Sequence, residues 1–154
     1  MVAFGISLLF IYRGLPDPTA VHFGETGRGD GFLPKEEIFY LVAGISTALN
    51  VLALLLIKAI SRIPTERWSQ LLPVFAEKGN EVIQSTFVNW MHFFPALINT
   101  YLILVMRALL MLNDERTNQT DYSYIPSLGL VFLLIWLIYL PVRLFASPKF
   151  RMEE

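Results

Sequence analysis

Cysteine is absent from the 154-residue chain, and its two histidines are His22 and His92. Disulfide frameworks, cysteine-ligated zinc, iron–sulfur clusters, thiolate nucleophiles and covalently attached c-type haem are thereby excluded, as is a histidine-rich metal site. Charge is also scarce: 16% of residues are Asp, Glu, Lys or Arg, against roughly 25% in ordinary soluble domains. Twelve basic and 13 acidic residues leave a net charge of −1, which disfavours nucleic acid as a partner. Apolar residues take up the difference, at 55% of the chain with a mean hydropathy of +0.53. The length suits one domain, and no repeat or low-complexity tract divides it.

A helix that crosses a bilayer needs about 20 mostly apolar residues, since each rises about 1.5 Å against a hydrocarbon core about 30 Å thick. Residues 38–57 meet this with no charged side chain, between Glu36 and Glu37 on one side and Lys58 on the other. Residues 82–112 carry a second span in Phe93 to Leu112, interrupted by Arg107, and the helical pattern extends backward to Val82, so that this helix should project from the bilayer. Residues 124–145 form another, with Pro141 bending its last turns. Residues 1–15 are apolar but short, and neither a preceding basic residue nor an A-x-A-like site marks them as a signal peptide, so they are read as a short first span, with a re-entrant segment or a misassigned start codon as the alternatives. The expected fold class is therefore all-α, a polytopic membrane bundle of about four transmembrane helices.

Four spans put both termini on one side. Loop two and the tail hold seven basic residues (Lys58, Arg62, Arg67, Lys78, Arg143, Lys149, Arg151) against four (Arg13, Arg28, Lys35, Arg116) in loops one and three. That bias favours cytoplasmic termini, in a bacterial inner membrane. In loop two, Trp68, Leu71, Leu72 and Phe75 recur at helical spacing, which predicts a short interfacial helix within 64–78, with Pro64 in its first turn and Pro73 limiting its length. Asn118-Gln119-Thr120 matches a glycosylation sequon that a bacterial membrane protein would not use.

Loop one, 16–37, is rich in glycine and proline. Pro16 and Pro18 restrict the backbone while Gly24, Gly27, Gly29 and Gly31 free it, so a chain of tight turns is expected. No Gly-Lys-Ser/Thr follows, which rules out a phosphate loop, and the acidic spacing of an EF-hand is missing. The run Leu15-Pro16, His22-Phe23, Gly27, Asp30-Gly31-Phe32 and Lys35 resembles the signature of the domain of unknown function 1648 family, whose best-known members are immunity and signalling proteins against a sporulation-delaying toxin. The resemblance covers about residues 1 to 60 and departs from the family pattern at Ala20 and Gly29, where that family tends to carry proline. It implies a loop that captures a peptide toxin or signal, with His22, Asp30 and Phe32 in contact. Read from the residues alone, His22 pins the turns by hydrogen bonding, binds a ligand, or senses pH.

On a 100°-per-residue wheel, Ser85, Asn89, His92, Asn99 and Arg107 fall within an arc of about 80°. Hydrocarbon offers polar side chains no hydrogen-bond partner, so this face should meet other helices, another subunit or a water-filled crevice. Gly44 and Ala48 form a small-xxx-small pair for close helix approach. A haem or chlorophyll held by His92 alone is the cofactor alternative, with no second feature behind it, and no metal site is expected.

No nucleophile lies at a spacing that provides it with a base. The sequence thus predicts a non-enzymatic integral membrane protein that acts by association, an accessory or structural subunit of a larger membrane complex. Its partners would be membrane lipids and other membrane protein subunits. A toxin-immunity or signal-receptor protein is the alternative.

Overall fold

Three apolar runs of the sequence become three long helices. In the computed structural model, which describes residues 2–24, 28–117 and 121–147, the chain runs α1 (Val2–Gly14), β1 (Thr19–Phe23), β2 (Gly29–Leu33), α2 (Lys35–Ser61), α3 (Trp68–Leu71), α4 (Asn80–Leu112) and α5 (Ile125–Ala146). The 27, 33 and 22 residues of α2, α4 and α5 give lengths of about 40, 50 and 33 Å. All three are long and apolar enough to cross a membrane. Helix α1 has 13 residues, about 20 Å, and falls short of the hydrocarbon thickness.

Local chemistry sets the boundaries. Helix α2 starts directly after Pro34, whose carbonyl accepts the amides of Glu37 and Ile38, and Glu36 and Glu37 place negative charge at the positive end of the helix dipole. Gly79, with φ 84°, turns the chain into α4 in a conformation that favours glycine. Pro95 and Pro141 lie inside α4 and α5. Each removes one backbone donor, which membrane helices tolerate.

The chain divides into two compact units. The first comprises residues 1–48 and 98–131. Phe4, Leu8 and Ile11, one stripe of α1, are buried with Leu15 against Ile38 and Val42 of α2 and Met106 of α4. Ser46 on α2 and Asn99 on α4 are buried together, with the Ser46 hydroxyl donating to Asn99 Oδ1 at 2.7 Å.

Loop one departs from an all-α fold and from a series of tight turns. It is a two-stranded antiparallel hairpin in which Thr19 faces Leu33, Ala20 faces Phe32, His22 faces Gly31 and Phe23 faces Gly29. Thr19 to Phe23 combines β-branched and aromatic residues suited to a strand. Glycine on the opposite strand permits the close approach: a Cβ at Gly29 would lie 2.6 Å from Ala20 Cβ, and one at Gly31 would lie 2.9 Å from His22 Cβ. The register shifts leave Val21 and Asp30 as extra residues, two bulges that re-aim neighbouring side chains.

The second unit comprises residues 49–97 and 132–154, of which 49–97 and 132–147 are described. Between α2 and α4 the expected interfacial helix is broken into a 3₁₀ turn (Thr65–Arg67), the single turn α3 and a second 3₁₀ segment (Pro73–Lys78). Pro73 interrupts the helical ladder. The apolar spacing serves a core: Trp68 is buried with Ile83 and Leu144, and Leu72 and Phe75 pack around them, while Leu71 stays exposed. The Lys78 ammonium, buried in the same unit, donates to the carbonyls of Phe145 and Ser147 and so satisfies the C-terminal end of α5.

Candidate functional site

Two surfaces gather the polar residues of the chain. The hairpin of the first unit is seated by a residue from beyond the end of α4. Asn113 Oδ1 accepts the Ala20 amide at 2.9 Å, and its Nδ2 donates to the Ala20 carbonyl at 3.0 Å and to the Leu109 carbonyl at 2.9 Å. A proline at position 20 would have no N–H for this clamp. The Thr19 hydroxyl donates to the Pro16 carbonyl at 2.6 Å. At the base, the Lys35 amide donates to Asp17 Oδ1 at 3.4 Å, and the Lys35 ammonium sits 5.4 Å from the Tyr12 ring centroid.

On the outer side of the hairpin, His22 Nδ1 pairs with Asp30 Oδ1. The bulge at Asp30 brings its carboxylate to the imidazole. Both side chains remain open, at 75% and 53% exposure, beside the exposed Phe32. Among the loop residues singled out from the sequence, Leu15 is core, Pro16 and Lys35 hold the base, Gly31 and Phe23 lie in the strands, and Gly27 lies outside the described residues. The Asn118 to Thr120 sequon, Lys149 and Arg151 also lie outside them. A crevice of ≈ 520 Å³ beside the hairpin base is lined by Gly14, Pro16, Leu110 and Asn113 to Arg116. Within it the Arg116 amide, donating at 3.0 Å, holds the Asp114 carboxyl below its ordinary pKa, assisted by the Arg116 charge.

The second surface is the polar face of α4, which the structure divides. Asn99 is buried against Ser46, whereas Ser85, Asn89, His92 and Arg107 are exposed. Ser85 donates to the carbonyl of Val82 in its own helix. Neither the Asn89 nor the His92 side chain has a hydrogen-bond partner among the described residues. Ser61, Glu81, Gln84, Ser85, Val88 and Asn89 line an open groove of ≈ 280 Å³. Gln84 fixes one wall by donating to the Ile63 carbonyl at 3.0 Å and accepting from the Thr65 hydroxyl at 3.3 Å.

The tryptophan pair sets the height of this face against α5. Trp90 stacks on Trp136 with ring centroids 4.2 Å apart, and each indole N–H donates to the other residue's carbonyl, at 2.7 and 3.1 Å. Trp136 is the twelfth of the 22 residues of α5. The turn from Asn89 to His92 is therefore level with the middle of an apolar helix. Sequence reasoning missed Asn113, Ser46, Gln84 and the tryptophan pair, because the partner of each is remote in the chain. The expected close approach at Gly44 is not made within the chain: a Cβ there would meet no atom within 4 Å among the described residues.

Those residues contain no group of three or more His, Cys, Asp or Glu able to hold a metal ion. No family model, curated protein or solved structure matches the chain.

Proposed function

We propose that the chain is a non-enzymatic integral membrane protein that acts by association, as an accessory subunit of a larger membrane complex. The observation that carries this reading is the outward placement of Asn89 and His92 beside the midpoint of α5. If α5 spans, these groups stand near the bilayer midplane, where an unpaired amide or imidazole is costly and a second polypeptide relieves the cost. The apolar exterior agrees with it: none of the most apolar stretch of α5 is buried within the chain, against 22% for α2 and 17% for α4. Extraction in mild detergent followed by affinity purification tests the reading. An assembly larger than the monomer is expected, and a monodisperse monomer without companion would remove it.

The hairpin supports a second reading, that of an immunity or signal-receptor protein, in keeping with the resemblance to the domain of unknown function 1648 family. A folded hairpin clamped by Asn113 and presenting His22, Asp30 and Phe32 is a preorganised binding element. Under this reading Asp30→Ala abolishes protection or signalling while the level of the protein in the membrane is unchanged. Unaltered protection in that variant excludes it.

A further inference from the structure

We infer that the exposed part of the α4 polar face is a seam for a second copy of this chain. The inference rests on the proposal that the protein acts by association and names the partner. Ser85, Asn89, His92 and Ala96 stand at alternating four- and three-residue intervals, and the alternation continues through Asn99, Ile103 and Met106. This is the spacing of the seam along which two helices pack knobs into holes. Its C-terminal part is occupied inside the first unit, where Asn99 meets Ser46 and Met106 is 2% exposed among α1 and α2 residues. In the second unit Ser85, Asn89, His92 and Ala96 are exposed.

The chemistry of the open part selects the partner. From Gln84 to Ala96 the helix carries no Asp, Glu, Lys or Arg, so a helix lined with such charges finds no fixed counter-charge there. An asparagine amide and a serine hydroxyl each donate and accept hydrogen bonds. Such a set is self-complementary, and across a two-fold axis Asn89 meets Asn89 of the other copy. Ser85 and Ala96, small residues on either side, let the two backbones approach. A single polar residue of this kind also specifies register and partner number.

The absence of cysteine makes the test direct. Ser85→Cys and His92→Cys, made singly in the full chain and oxidised in native membranes, keep Asn89 in place and should each yield a disulfide-linked dimer. Leu133→Cys and Leu137→Cys, exposed on α5, should stay monomeric. In vesicles of bacterial polar lipid, Asn89→Leu should weaken energy transfer between labelled copies, with a roughly 3- to 30-fold loss of self-association, and Asn89→Gln should restore most of it. Cross-linking of all four positions alike would mark random collision and overturn the seam. No cross-link at Ser85 and His92, together with a different protein joined to the chain in detergent, would overturn the second copy and leave association intact. A monomer in both experiments would overturn both.

Discussion

At the scale of single residues, Asn113 does the most with the fewest atoms. Three hydrogen bonds from one amide tie β1 to the end of α4. Two of them restrain the same residue, Ala20, which is itself buried. Replacing Asn113 by alanine leaves a buried amide N–H and carbonyl without partners, at a cost of about 1–3 kcal/mol each where water cannot enter. The expected outcome is faster hydrogen exchange at Ala20 and along β1, with the amides of α2 unchanged. Equal exchange in wild type and variant would show that the hairpin holds its place without the clamp. The His22–Asp30 pair has a different character. It is exposed, so solvent weakens its attraction, and under the proposed receptor reading it is presented to a ligand.

At the scale of elements, the contact of α4 with α5 in the second unit is set by the tryptophan pair. Stacked rings bury a large apolar area, and the reciprocal indole bonds fix the height of one helix against the other. Phe93 against Tyr139, with centroids 5.0 Å apart, and Phe94 against Trp136, at 5.1 Å, extend the aromatic contact. Trp90→Ala should destabilise the protein by about 3–5 kcal/mol. Trp90→Phe, which keeps a ring and loses the indole donor, should cost less. Unfolding in mixed detergent micelles gives the ranking, and Trp136 emission in Trp90→Ala should move toward the red as water or headgroups replace the ring. Equal stability of the three proteins would place the energy of this contact elsewhere.

At the scale of the whole molecule, the question is which side of the membrane each loop occupies. The excess of lysine and arginine in loop two and the tail favours a cytoplasmic location for both. Cysteine at Arg28 or Glu115 should then react with an impermeant maleimide in intact cells, and cysteine at Arg62 or Arg67 only after permeabilisation. All four side chains are exposed, so the reactions report side rather than burial. The reverse pattern would invert the orientation. Helix α1 adds a constraint of its own, since about 20 Å of helix beside α2 does not match about 30 Å of hydrocarbon.

Sequence by itself determined the long helices, because length and hydropathy are local quantities and lipid demands both of them at once. Residues 38–57, 82–112 and 124–145 lie within or beside the observed helices, with the boundary at Leu112 unchanged and the others moved by one to three residues or, at Ser61, by four. It also located the hairpin segment through its glycines, though not the strand pairing, since pairing depends on which glycine faces which side chain across the turn. Only the tertiary structure decided how the polar groups are used. Ser85, Asn89, His92 and Asn99 share one face of a helix by periodicity, yet Asn99 is consumed by Ser46 while the Asn89 and His92 side chains have no hydrogen-bond partner among the described residues. Periodicity fixes the angle around a helix axis, whereas burial depends on whether a neighbour, brought there by distant parts of the chain, covers that angle at that height.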